Sequence, residues 1–222
     1  MKKSVYIYGG IAAVLLVLFV LLAALLTCVD VRSAGDSQAE VGFATLNEAV
    51  FDALGQSEAA LTLSKLCGIV IIAAVGAFGV TGLVQVIRRK GILRADAELY
   101  AMLGGLVLLA AAYVLFEVVV INCRPVLDEG ELAASFPSSH TMLAISAAGM
   151  GTAYLIKALK GAWRIASCVA LNAAAAATVA GRLLGGVHWL TDIVGGCLYG
   201  LFIVFCYLAA CRAIESIRTR NQ

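Results

Sequence analysis

The chain has 222 residues, 62% of them hydrophobic and 14% charged, with a net charge of +2. That balance excludes a water-soluble globular domain and makes the bilayer the solvent of the fold. It also excludes a nucleic-acid binder, because no Lys/Arg-rich arm or interleaving of basic and aromatic residues is present.

A spanning helix needs about 20 mostly apolar residues, and six stretches meet or approach that length, near 4–29, 64–87, 98–121, 138–157, 162–181 and 189–211. They predict an all-α, polytopic membrane protein: one integral domain over 1–222 with six transmembrane helices around a core bundle at 98–211. The first stretch follows Lys2 and Lys3, as a secretory signal would. Its apolar run from Val5 to Leu26 is longer than a signal core, and no small-x-small cleavage site follows, so it is read as a retained helix. Leu25-Leu26-Thr27-Cys28 fits a lipoprotein cleavage box poorly, because threonine precedes the cysteine.

Between the first two stretches lies an outer loop, 30–64. Within it Phe43, Leu46, Val50 and Leu54 recur at helical spacing, while Asn47, Glu48, Asp52 and Gln56 take the other face. This predicts a short helix in the membrane interface. Such a helix is either a connector resting on lipid or a lid or access wall for a lipid substrate.

The basic residues orient the spans. Lys2 and Lys3, then Arg88, Arg89, Lys90 and Arg94, then Lys157, Lys160 and Arg164, then Arg212, Arg218 and Arg220 fall at alternate span ends. By the positive-inside rule that side is cytoplasmic, so both termini are cytoplasmic. Arg32, Lys65, Arg124 and Arg182 fall at the opposite, extracytoplasmic ends.

Seven cysteines suggest neither zinc nor a definite disulfide. Cys168, Cys197 and Cys206 lie within apolar stretches and Cys211 near a cytoplasmic end, where cysteine serves as a small hydrophobe. Cys28, Cys67 and Cys123 lie near the outer face without zinc-like spacing, and a bridge there does not follow from spacing alone.

The chain's two histidines and two prolines all fall in three short clusters between Arg124 and Asp192. Arg124-Pro125 follows the third stretch, where proline stops the helix and fixes the arginine's direction. Pro137-Ser138-Ser139-His140 begins the fourth, so a serine cap and free first-turn amides can cradle an anion, with His140 placed to give a proton to a leaving oxygen. His188 and Asp192 are four residues apart, so the carboxylate can accept from one ring nitrogen and leave the other as nucleophile or base. Arg182 precedes them across Gly185-Gly186, a turn that lets the guanidinium meet the same pocket. Taken singly, each has an ordinary reading: a helix cap, an interfacial histidine, an arginine reaching lipid head groups. All of them fall on one side of the membrane.

The three clusters resemble the signature of the type 2 phosphatidic acid phosphatase superfamily, which reads Lys-x6-Arg-Pro, Pro-Ser-Gly-His and Ser-Arg-x5-His-x3-Asp. Here the matching residues are Glu117 with Arg124-Pro125, Pro137-Ser138-Ser139-His140, and Gly181-Arg182 with His188 and Asp192. The six-span layout is similar to the membrane branch of that family; its haloperoxidase branch is soluble and fits poorly. The resemblance implies a lipid phosphatase in which His188, oriented by Asp192, forms a phosphohistidine. Arg124, Arg182, Ser138 and Ser139 would hold the phosphate oxygens and His140 would act as the acid. It implies no metal and no cofactor, and as partners only a lipid phosphate and the bilayer. Polyprenyl mono- or diphosphate, phosphatidylglycerol phosphate and phosphatidic acid are all candidate substrates, and a phosphotransferase would use the same residues.

Two of the departures from the pattern limit the inference. Gly181 replaces a serine, a loss of at most one hydroxyl contact. Glu117 replaces the lysine, and a carboxylate about 4 Å from a phosphate charge costs on the order of 4 kcal/mol at an effective dielectric near 20. The expectation is that Glu117 supports the site from behind, pairing with Arg124 or Arg182, since buried charges are usually paired. A protonated Glu117, or a site retuned for a different substrate, would also accommodate an acid at this position. The alternative for the whole chain is a non-catalytic lipid-phosphate binding or transport protein.

Overall fold

A computed structural model describes residues 2–128 and 130–220. Six long helices fall on the six apolar stretches: α1 (Lys2–Leu26), α3 (Glu58–Arg88), α4 (Ala97–Val118), α5 (Ser139–Ala158), α6 (Gly161–Leu184) and α7 (Leu190–Arg220), with the short α2 (Ala44–Leu54) in the outer loop. Five of the long helices are long and apolar enough to cross a membrane, and the chain is a multi-pass membrane protein. α5 is the one outside that group. Its serines, threonines and glycines lower its apolarity, and its position allows them: it packs chiefly against α6 and α7 and also against α3. Ala144, Ala147, Ala148 and Met150 of α5 sit in the main core with Ile71, Phe78, Leu171 and Ile203.

The helix ends follow local chemistry. Ser57 caps α3, its hydroxyl accepting from the Ala60 amide at 3.2 Å. α6 stops at Gly185-Gly186, where Gly186 takes φ +66° and turns the chain back towards α7. At the other end of the bundle Gln85 and Asp96 exchange two 2.8 Å hydrogen bonds, joining the end of α3 to the start of α4.

The outer loop is more structured than its sequence suggests. Two short strands, β1 (Arg32–Ala34) and β2 (Ala39–Val41), form an antiparallel hairpin that the all-α expectation lacked. Its turn needs Gly35: the residue has φ +68°, and a Cβ there would come within 2.8 Å of both the Pro125 carbonyl oxygen and the Trp189 ring. Ala34, Val41 and Ala44 bury Trp189 in a second small core, with Phe51 against it. The helix at 44–54 is present, with Leu46 and Leu54 exposed as an interfacial helix requires. Of its polar side, Asp52 and Gln56 are exposed and Asn47 is not. Asn47 is fully buried, donating to the Gly42 carbonyl at 2.9 Å and to the Thr191 hydroxyl at 3.0 Å, and accepting from the Thr191 amide at 3.2 Å. The outer loop is thereby fastened to the first turn of α7.

Candidate active site

Ser138 caps α5: its backbone takes an extended conformation and its hydroxyl faces the Thr141 amide and hydroxyl, at 3.5 and 3.1 Å. The side chain is fully buried in that role, so of the two serines only Ser139 lines the cleft. The amides of Ser139 and His140 begin the helix and have no intrahelical acceptor, which leaves them for an anion.

Arg182, in the last turn of α6, is 6% exposed and places Nη2 2.5 Å from Nδ1 and 2.7 Å from Nε2 of His140. Arginine can only donate, so the imidazole nitrogen it meets is an acceptor. Arg124 follows α4 in the loop and bonds Asp128 at 2.7 Å. The Nε of each arginine is buried without a partner among the described residues. Two guanidinium groups therefore keep donors for an anion, as buried N–H groups require.

His188 and Asp192 are 3% and 0% exposed. The expected direct hydrogen bond between them is absent: Nδ1 and Oδ2 lie 3.6 Å apart, beyond hydrogen-bond range. Ser135 stands between. Its hydroxyl donates to Asp192 Oδ2 in a short hydrogen bond, and its oxygen lies 3.1 Å from His188 Nδ1. The consistent proton order runs from His188 Nδ1–H to the Ser135 oxygen and from the Ser135 hydroxyl to Asp192, with the tautomer assigned from this network. Oδ2 also accepts from the Trp189 amide at 2.9 Å, which fixes the carboxylate against its own backbone. With Nδ1 engaged, Nε2 is the nitrogen left for chemistry, and His188 lines the cleft. Burial holds its imidazole below the ordinary value, with Asp192 pulling the other way.

Ser135 had no sequence signal, since nothing about a serine two residues before a proline announces a partner 53 positions on. Glu117 needs correction. It ends near the mouth of the cleft, exposed, in the same lining as Arg124, Ser139 and His188. The expected pairing with Arg124 or Arg182 is not made: Asp128, four residues after Arg124 in the same loop, takes that arginine, and Arg182 faces His140. Among the described residues no three His, Cys, Asp or Glu side chains converge to hold a metal ion. All seven cysteines are free thiols.

Beside the cleft, and sharing Tyr113 and Ser139 with it, an apolar groove of about 520 Å³ runs between α3 and α4 past Ile72, Leu109 and Leu143 to His140. The site so assembled can hold a phosphate between two arginines and a helix start, with one histidine on the cleft side and another at the groove.

Residues 70–214 match the family model of the PAP2 superfamily. The fold is similar to the crystal structure of the first transmembrane PAP2 type phosphatidylglycerolphosphate phosphatase from Bacillus subtilis, with a TM-score of 0.58 and 18% identity over 95% of this chain and 97% of that one. No curated protein sequence matches the chain closely enough to add to this.

Proposed function

Because the chain belongs to the PAP2 superfamily, we propose that it is a membrane lipid phosphatase acting through a phosphohistidine at the extracytoplasmic face. The observation that carries the reading is that Arg124, Ser139 and His188 line a cleft that shares Ser139 with an apolar groove reaching His140, and that Arg182 lies against His140. A head group can lie in the first while its chain lies in the second.

In the first step the Nε2 lone pair of His188 forms the P–N bond as the P–O bond to the lipid breaks. The electron pair leaves with that oxygen, which takes a proton from His140. Arg124, Arg182 and the amides at Ser139 and His140 meet the equatorial oxygens as charge redistributes. In the second step water attacks phosphorus, His140 takes its proton, and the P–N electrons return to His188. The products are the dephosphorylated lipid and inorganic phosphate. Every charge in the scheme has a side chain to meet it, and the scheme calls on no metal ion. Phosphate arriving at Arg182 would draw the guanidinium away from His140, freeing that imidazole to carry the proton it gives up.

The outer-face placement and the crossing of all six long helices are supported by charge. Arg89, Lys157 and Arg212 lie at the end of the bundle away from His188, as the positive-inside rule asks of a cytoplasmic face. Phosphate release by the detergent-solubilised protein across a panel of lipid phosphates tests the function. Wild-type protein should release phosphate, His188→Ala should not, and His140→Ala should be slowed most on substrates with an alcohol leaving group. Equal background from all three would favour the lipid-phosphate binding or transport reading instead.

A further inference from the structure

Gly181, one of the departures from the family pattern, has a packing reason. A Cβ there would lie 2.4 Å from the Ala60 carbonyl oxygen and 2.7 Å from Ser64 Cβ, so α6 and α3 meet backbone to backbone. Buried Ser64 seals the contact by donating to the Thr178 carbonyl at 2.9 Å. This close approach carries the next residues of α3 to the site. A Cβ at Gly68 would lie 3.9 Å from His140 Cδ2. Lys65, three residues earlier and so on the same helical face, lines the groove with Ser139 and His140.

Among the described residues Lys65 is also the cation at this end with neither a hydrogen bond nor an ion pair. Arg32 pairs with Asp30 and Glu48 at 3.5 and 3.0 Å, Arg124 pairs with Asp128, and Arg182 faces His140. Lys65 is exposed to the groove and has no hydrogen bond or ion pair among the described residues. Glu117 stands on the other side, in the cleft with His188. A phosphorus atom at Ser139, where cleft and groove meet, would be attacked by His188 from the cleft. In-line displacement then sends the leaving oxygen into the groove, towards His140 and Lys65.

We propose that Lys65 is a specificity-determining residue that binds a second phosphate carried by the leaving group, so the preferred substrates are lipids with two phosphates. The second phosphate is joined either directly, as in a lipid diphosphate, or through a short alcohol, as in phosphatidylglycerol phosphate. In the first case the P–O–P bond breaks and the electron pair leaves with a lipid monophosphate, whose charge Lys65 meets. In the second the leaving alcohol takes the His140 proton while Lys65 holds the phosphodiester beyond it. Glu117 repels a second anion from the cleft side and so enforces the same orientation. The proposal rests on the lipid phosphatase reading. It differs from a lysine that only reaches for surrounding lipid head groups, which would treat all substrates alike.

The test uses the full chain in one detergent with four substrates: polyprenyl diphosphate, polyprenyl monophosphate, phosphatidylglycerol phosphate and phosphatidic acid. Lys65→Met should raise KM on the order of tenfold or more for the two-phosphate lipids, the scale of one charge-assisted hydrogen bond, with less than about twofold change for the one-phosphate lipids. Lys65→Arg should restore most of the difference. The polyprenyl and glycerol pairs show which spacing Lys65 reads. Equal KM changes across all four substrates, or none, would overturn the proposal. Binding of the same lipids to His188→Ala protein separates this from catalysis: a two-phosphate preference that Lys65→Met removes supports the role of Lys65 even without turnover. Binding of one- and two-phosphate lipids with equal affinity rules it out even in an active phosphatase.

Discussion

Lys157 and Arg182 are both cations near helix C-termini of one bundle, and their surroundings differ in kind. Lys157 is 45% exposed and meets Glu98 at 2.7 Å and Glu215 at 2.6 Å, with Arg212 adding a 2.9 Å bond to Glu215. Arg182 is 6% exposed, meets no carboxylate among the described residues, and turns to a histidine. The first end has its charges neutralised by partners in contact with solvent. The second has buried Arg182, His188 and Asp192, with His140 half-buried beside them and polar atoms left over. A fold selected for stability alone would not leave them so, since a buried polar group without a partner costs about 1–3 kcal/mol. The contrast fits the proposed binding of an anion at the His188 end.

That contrast can be broken by substitution. The largest effect belongs to Asp192, which accepts from the Ser135 hydroxyl and the Trp189 amide. Asp192→Asn keeps the shape and removes the charge behind His188, so kcat should fall on the order of 10³-fold in the phosphate-release assay. Gly181→Ser comes next. With the Ala60 carbonyl 2.4 Å from the new Cβ, it should cost about 2–3 kcal/mol by overpacking, read as a lower thermal midpoint, together with a loss of activity as α3 moves away from His140. Ser135→Ala should lower kcat on the order of tenfold and leave KM nearly unchanged, because it breaks a relay behind the nucleophile and not a contact to substrate. An effect confined to KM would remove Ser135 from the relay.

The pH dependence sharpens the same point. His188 binds protons less readily folded than unfolded, where its value is near 6.5. Its contribution to stability is whole above about 6.5 and is lost as pH falls below that, because the unfolded chain then takes up the proton first. The thermal midpoint should drop between pH 7 and 5, and His188→Gln should flatten part of that drop. The smallest effect lies at the other end. Lys157→Ala removes a cation from a half-exposed cluster and should change stability by no more than about 1 kcal/mol, leaving phosphate release as it was.

Much of this architecture could be read from residue order. The apolar runs gave six helices, and of the Pro, His and Arg clusters Arg124, Pro137 and His188 line one cleft while Arg182 lies against His140. Three features could not be read, for one shared reason. Ser135 reaching His188, Asn47 reaching Thr191 and Gly181 admitting Ala60 are contacts between segments 53, 144 and 121 positions apart. Periodicity within a segment reports which face is apolar, and it is silent on what that face meets. Asn47 shows the limit clearly: amphipathic spacing assigned it to water, and tertiary packing used it as a peg into α7. Glu117 failed differently, since its presumed partner found an acid nearer in the loop.

The reduced apolarity of α5 bears on how the protein is made. A segment that lipid does not welcome by itself gains little by leaving the translocation machinery alone. The helices that enclose it, α6 and α7, lie later in the chain and are synthesised after it. α5 must therefore be retained, or enter and leave reversibly, until those two emerge and cover it. Because α5 also opens with the turn proposed to bind the anion, assembly of the proposed site follows the emergence of α6 and α7, and a chain truncated after α5 would have no stable place for that helix in the bilayer.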